Sequence, residues 1–229
     1  MADRDYRLEL DATLDPSPVL PALIWAEGIE PPRPTEAAPD FVREILARAE
    51  AGGEEFIPAE RRARVRKILR HGHYQPSGRG RPASEFLLRA ALEKSFPLVN
   101  GPVDVNNAVS LASGLPGSIF DAALSGTHLL LRRGLPGESY VFNTAGQVIN
   151  LEDLLLVCRR VETGWEPCGN AVKDAMATKV RETTGRVVAV LYAPPDEPVV
   201  SLERWAARVA ELLTSHCRAH DAGFTIVGA

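Results

Sequence analysis

Residues 96–121 read Phe96-Pro-Leu-Val-Asn-Gly-Pro-Val-Asp-Val-Asn-Asn-Ala-Val-Ser-Leu-Ala-Ser-Gly-Leu-Pro-Gly-Ser-Ile-Phe-Asp121, and the chain changes character across them. Val103 to Ser113 has helical spacing, with Val105, Ala108, Val109 and Ala112 on one apolar side, and Gly114 and Pro116 stop it. Before this stretch the pattern is helical. Thr35 is placed to cap a helix to Ala51 carrying Phe41, Ile45 and Leu46, ended by Gly52 and Gly53. A second helix follows Pro58 and runs to Leu69 on the stripe Val65, Ile68, Leu69. A third, Ser84 to Lys94, carries Leu87, Leu88, Ala91 and Leu92. After the stretch come short apolar runs, Leu129–Leu131, Tyr140–Phe142 and Leu154–Val157, separated by Gly, Pro, Asn and Asp, which is the pattern of consecutive strands. Val187–Tyr192 is a continuous strand, Ser201 caps a helix to Ala219, and Phe224–Val227 is a last strand.

At the N-terminus Tyr6, Leu8 and Leu10 alternate with polar residues, Leu23–Ala26 makes a second strand, and Pro31, Pro32 and Pro34 forbid regular structure. Helices and strands intersperse without a βαβ repeat. The expectation is a single α+β domain over 1–229, with 1–14 an N-terminal extension or edge strand.

Composition sets the outer limits. The 229 residues are 45% apolar and 24% charged, so a packed core is within reach and disorder is excluded. No run reaches about 18 apolar residues, and the start is charged where a signal peptide is apolar, so a cytoplasmic protein without a membrane partner is expected. A net charge of −4 argues against a chain that binds nucleic acid over its whole surface, and no DNA partner is expected. Three cysteines without a CxxC pair, and histidines without an HExxH pattern, point to reduced thiols, no metal and no cofactor.

Polar chemistry gathers in a few segments. Arg61 to Arg81 holds Arg61, Arg62, Arg64, Arg66, Lys67, Arg70, Arg79 and Arg81 and no acidic residue. Such a run attracts phosphate, although a solvated helix face has the same composition. Its loop, Tyr74-Gln-Pro-Ser-Gly-Arg-Gly-Arg-Pro82, adds bare backbone N–H groups that suit a phosphate. In Pro82-Ala-Ser-Glu85, Ser84 is expected to cap the next helix. Glu85 either favours its dipole or, as a carboxylate beside arginines, holds a substrate amine or orients Arg79. On the 103–113 helix Asn106, Ser110 and Ser113 form a polar stripe, with Asn107 nearer Asp104. These groups either hydrogen-bond an ester, ribose or water, or tie helices together in the core. In Pro167 to Lys179, Gly169-Asn170 reads as a turn, and Lys173, Asp174, Thr178 and Lys179 as a pocket wall. Cys168 has no assignable His–Asp partner and reads as a packed thiol.

Residues 96–121 resemble the B3/B4 editing domain of the phenylalanyl-tRNA synthetase β subunit, which carries Val-Asp, Thr-Asn, Gly-Gln-Pro and Phe-Asp in the same order. The fuller resemblance is to free-standing B3/4 proteins. It rests on Arg66-Lys-Ile-Leu-Arg70, Tyr74-x-Pro-Ser-Gly-Arg79, Pro82-Ala-Ser-Glu85, Pro167-Cys-Gly-Asn170 and Lys173-Asp-x-Met-Ala-Thr-Lys179, and covers roughly 15–220. The resemblance implies a B3/4-type α+β fold, binding of the aminoacylated 3′ end of a tRNA, and hydrolysis of the ester on a mischarged tRNA in trans. The synthetase domain removes tyrosine from the phenylalanine tRNA, and free-standing relatives are associated with clearing canavanine from arginine tRNA. This sequence departs from the synthetase pattern at Asn106, where that domain has Thr, and at Leu115, where it has Gln. Asn170–Lys179 stands in place of its Gly-Gly segment, so the resemblance names no edited amino acid.

An activated ribose ester needs no metal for hydrolysis. It needs a placed water, a donor to the developing oxyanion and a fitted pocket. On this reading Asn106, Asn107 and Ser110 position water or ester. Ser84, Glu85, Asp104, Lys173, Asp174, Thr178 and Lys179 bind substrate, and Arg66, Lys67, Arg70, Arg79 and Arg81 hold tRNA. The alternatives are a non-catalytic tRNA-binding module and a hydrolase or sensor of a small amino-acid derivative.

Overall fold

The computed structural model of the protein describes residues 6–228. In chain order its elements are β1 (Arg7–Leu10), β2 (Leu20–Glu27), α1 (Asp40–Gly52), α2 (Ala59–Leu69), α3 (Ala83–Leu92), α4 (Gly101–Ser113), β3 (Gly117–Asp121), α5 (Ala122–Ser125), β4 (His128–Arg133), β5 (Ser139–Val141), β6 (Val148–Asn150), β7 (Leu155–Val161), β8 (Gly164–Asn170), β9 (Arg186–Ala193), α6 (Val199–Ser215) and β10 (Asp221–Ile226). This is an α+β fold, as the alternation of patterns predicts. One sheet is antiparallel in the order β10-β2-β9-β3. A second, β1-β4-β7-β8, has one parallel pair, β1 with β4, so β1 is an edge strand; residues 1–5 lie outside the described residues. β5 and β6 form a separate hairpin.

The continuous apolar run of β9 has a simple cause, because both its faces are buried. Val187, Ala189, Leu191 and Ala193 pack in one core with Leu202, Val209 and Leu213 of α6 and Val105 and Val109 of α4. Val188, Val190 and Tyr192 face the second sheet, against Leu129, Leu131, Leu155 and Val157. β2 divides in the same way, with Ala22, Ile24 and Ala26 on the helical side and Leu23 on the other. The order of layers is therefore helices, antiparallel sheet, mixed sheet. A third cluster joins Ala49 of α1, Leu87, Leu88 and Ala91 of α3, and Leu111 of α4.

Several helix starts are corrected. α1 begins at Asp40 after Pro39, and the Thr35 hydroxyl instead donates to Asp104. α3 begins at Ala83 after Pro82, so Ser84 does not cap it. α6 begins at Val199 after Pro198 and ends at Ser215, while the Ser201 hydroxyl donates to Glu197 at 2.9 Å. In all three the helix follows a proline whose fixed φ suits that entry, and this overrode the preference for a hydroxyl cap. Gly169 and Asn170 close β8, and the turn starts at Asn170 instead of lying on the pair. That strand was illegible because Pro167 interrupts it. The proline sits opposite Cys158, where the β7–β8 register shifts, which is a position a strand proline can take.

Candidate functional site

α4 sets up the site. The Asn100 side chain accepts from Val103 N at 3.2 Å to cap it, and Gly114 closes it in the left-handed conformation at φ 72°. The last turn then leads through Pro116 into β3, which lies along the polar stripe. Asn106 Nδ2 donates to the Gly117 carbonyl at 3.2 Å, while Asn106 Oδ1 is buried with no hydrogen-bond partner. A lone buried acceptor costs about 1–3 kcal/mol. Asn107 lies beside it, half-buried, in the wall of the same cavity.

The facing wall is the segment after β8, and Asn170 shapes it. Its Oδ1 accepts from Val172 N at 2.7 Å and Lys173 N at 2.9 Å, an Asx-type turn, while its Nδ2 donates to the Tyr140 hydroxyl at 2.6 Å. Tyr140 in turn donates to the Lys173 carbonyl at 2.5 Å. This bonding turns the chain so that Asp174 approaches β3 and the end of β8. Its carboxylate accepts from Ile119 N at 3.2 Å and Asn170 N at 3.3 Å. A Cβ at position 169 would lie 2.5 Å from that carboxylate, so the approach requires Gly169. Asp174 as a residue is half-buried, but its carboxyl group is enclosed. Desolvation pushes its pKa from 3.8 up to about 7, against the lowering effect of its hydrogen bonds and of Lys179.

Asn106, Asn107, Gly117, Asp174 and Lys179 thus meet around a cavity of about 220 Å³ whose remaining wall is largely apolar, with Val103, Ile119 and Val180. Lys173 lies in its wall and also in the walls of two outer hollows. One of these, about 340 Å³, is bounded by Arg79, Arg81, Glu85 and Phe86. The other, about 790 Å³, lies between Tyr74, Arg79 and the β5–β6 hairpin with Phe142. The Lys173 ammonium lies 4.0 Å from the centre of the Phe142 ring. Burial, followed by the neighbouring Arg79 charge, holds the Lys173 pKa below its ordinary value.

The structure separates the expected site residues. Asn106, Asn107, Lys173, Asp174 and Lys179 converge on the cavity, and Arg79 and Arg81 border the adjoining groove. Ser110 is corrected to a structural group, since it is fully buried and donates to the Leu115 carbonyl at 2.7 Å. Asp104 is likewise internal, accepting from Val99 N at 2.7 Å and from the Thr35 hydroxyl, and burial raises its pKa. Thr178 is fully buried and donates to the Cys168 carbonyl at 3.2 Å. The Ser84 hydroxyl is buried without a partner, and Ser84 lies outside the cavity wall. Cys168 is a packed thiol, and burial pushes it far from thiolate formation.

The basic run is the largest correction. Acidic residues absent from that run in sequence reach it in space. Arg61 pairs with the buried Glu197, Arg62 with Glu54 at 3.1 Å, and Arg64 with Asp196 at 2.9 Å. Arg66 makes a two-pronged pair with Glu85, donating from Nε at 2.6 Å. Arg66 therefore serves Glu85 rather than standing free for phosphate. Among the described residues Lys67 and Arg70 have no carboxylate partner; they are exposed on α2 and just after it. Phe86 and Phe142 were missed by sequence reasoning, since nothing in their local patterns says that α3 and the hairpin flank Arg79.

Among the described residues no group of three or more His, Cys, Asp or Glu side chains is placed to hold a metal, and no helix is long and apolar enough to cross a membrane. No family model and no curated protein matches the chain. Among solved structures, an N-terminal fragment of the phenylalanyl-tRNA synthetase beta-subunit from Pyrococcus horikoshii is similar over 89% of this chain and 48% of that one, with 10% identity and a TM-score of 0.45. The chain thus spans about half of that fragment, and a likeness at this level assigns no residue a role.

Proposed function

We propose that the protein hydrolyses the ester joining an amino acid to the 3′ end of a mischarged tRNA. The observation that carries this reading is the small polar cavity at Asn106, Asn107 and Asp174, which adjoins, at Lys173, a groove bordered by Arg79 and Arg81. A cavity of about 220 Å³ suits an aminoacyl group, and a cationic groove suits the phosphates behind it. The resemblance to B3/4 proteins supports the same assignment.

In the proposed reaction a water oxygen attacks the ester carbonyl carbon. The bond from that carbon to the ribose oxygen breaks, and the ribose oxygen takes up a proton. Asn107 positions the water or the ester. Asn106 holds β3 against α4 through its Nδ2 donation to the Gly117 carbonyl and so fixes the wall beside Asn107. Asp174, whose pKa of about 7 matches neutral operation, takes the proton from the attacking water. Lys179 offers positive charge to the developing oxyanion. The test is ester release from a panel of mischarged tRNAs by the wild type and by Asn107→Ala. Selective release that the substitution removes is expected. Release unchanged by Asn107→Ala, in a variant that folds, overturns the assignment.

The pairing of Arg61, Arg62, Arg64 and Arg66 with carboxylates favours a second reading, a hydrolase of a small amino-acid ester without RNA. It predicts turnover independent of salt and unaffected by Arg79→Ala.

A further inference from the structure

The walls of the Asn107 cavity divide by chemistry. Asn106, Asn107, Asn170, Asp174 and Lys179 supply its polar groups. The rest of the wall is aliphatic, with Ala83, Val99, Val103, Ile119, Val172 and Val180, and among the described residues no aromatic ring lines it. Asp174 is its one carboxyl group, and that group already accepts from the backbone N–H groups of Ile119 and Asn170. Lys179 makes no ion pair among the described residues and stands in the wall as a cation. The Lys173 ammonium is directed to the Phe142 ring in the next hollow, at 4.0 Å from its centre.

The surroundings carry the same bias. The hollow at Phe142 has Arg79 and Lys173 in its wall and no acidic residue. The hollow at Phe86 has one acid, Glu85, which is bound to Arg66. A third hollow, of about 580 Å³, shares Val99 and Val180 with the cavity, and there Arg33 and Arg181 outnumber Glu182. A long cationic side chain therefore meets like charge in each adjoining hollow. Kept inside the cavity, it loses its hydration without a free counter-charge.

We infer that the cavity accepts an aminoacyl group with a neutral aliphatic side chain and rejects arginyl and lysyl groups. The inference rests on the proposed function for the ester, and it adds what the side chain must be. The side chain packs on Val99, Val103 and Val180, and the ester lies on the polar side with Asn107, Asp174 and Lys179. The α-ammonium is common to every amino acid and does not discriminate. An acidic side chain would have to bury its carboxylate against the valines, or take the Lys179 charge away from the developing oxyanion.

The test is an NMR titration of the ¹⁵N-labelled protein with leucinamide, argininamide, lysinamide and glutamic acid 1-amide. These amides keep the α-ammonium and a neutral carbonyl and are not esters. Leucinamide is expected to shift the backbone signals of Asn107, Ile119 and Val180 saturably, and each charged amide to bind at least tenfold more weakly, a modest share of the usual cost of juxtaposed like charge. Val103→Glu puts a carboxylate into the aliphatic wall, and thermal melting checks that it folds. It is expected to weaken leucinamide at least tenfold and to gain lysinamide binding. No shift of those signals by any amide, a charged amide bound as tightly as leucinamide, or a folded Val103→Glu with unchanged preference overturns the inference. The tRNA panel separates it from the reading it rests on. Release of arginyl or lysyl esters in preference to aliphatic ones keeps the proposed function and overturns the inference. Selective leucinamide binding with no ester released keeps the cavity's preference and overturns the proposed function.

Discussion

Asp174 gives the structure a measurable pH dependence of stability. Its carboxyl accepts two backbone N–H bonds, yet enclosure raises its pKa from 3.8 to about 7. Between these values the folded state holds a proton that the unfolded state has released, so stability is lost as pH rises. The stabilising contribution is fully present below about pH 4 and gone above about pH 8. The full gap is worth about 4 kcal/mol at 1.36 kcal/mol per pH unit, and the portion between pH 5 and pH 9 is roughly 2.5 kcal/mol. Asp174→Asn removes the titration. Urea unfolding of both proteins at pH 5, 7 and 9 isolates the group, because every other titrating side chain is shared. Relative to wild type, the Asn variant gains roughly 2.5 kcal/mol between pH 5 and pH 9, nearly all of it between pH 5 and pH 7, and the difference levels off above pH 7. If the two stability profiles run parallel from pH 5 to pH 9, Asp174 is an ordinary carboxylate and the argument for it as a base at neutral pH fails.

Other outcomes follow from named contacts. Glu197→Ala leaves Arg61 facing an emptied site and lowers stability by about 3–5 kcal/mol in chemical denaturation, the usual effect of removing one partner of a buried pair. Gly117→Ala brings a Cβ to 2.6 Å from Asn106 Oδ1, so the amide must move. Ester hydrolysis is expected to fall at least tenfold, with a stability loss of about 1–3 kcal/mol. Cys168→Ala leaves the hydrolysis rate within about twofold, checked by single-turnover kinetics, because a thiol held from ionising is no nucleophile. Arg66→Ala lowers stability while leaving RNA affinity near that of wild type in anisotropy titration, since Arg66 is already committed to Glu85.

Much of the architecture is legible in the sequence because it depends on local periodicity. The two-sided burial of β9 is written in Val187–Tyr192, and α4 in the spacing of Val105, Ala108 and Val109. Asn106, Asn107, Lys173, Asp174 and Lys179 belong to two polar segments more than sixty residues apart, and they share one cavity. What failed was long-range. The free appearance of Arg61–Arg66 vanished because Glu197, Asp196, Glu85 and Glu54 come from other elements. Ser110, Thr178 and Asp104 looked like ligands because sequence cannot say which way a polar side chain faces. Their partners are the Leu115 and Cys168 carbonyls, Val99 N and the Thr35 hydroxyl. The Pro167 strand was hidden because a bulge tolerates what an unbroken ladder rejects.

The central claim is that the Asn107 cavity hydrolyses an aminoacyl ester on tRNA. Its most direct test is single-turnover ester release from tRNAs charged with each protein amino acid and with canavanine, using wild type and Asn107→Ala. The account predicts release from a small subset of mischarged tRNAs, slowed by about 10²–10³-fold by the substitution, the usual effect of losing one group that stabilises the transition state. No release from any tRNA on the panel, or release indifferent to Asn107, contradicts it.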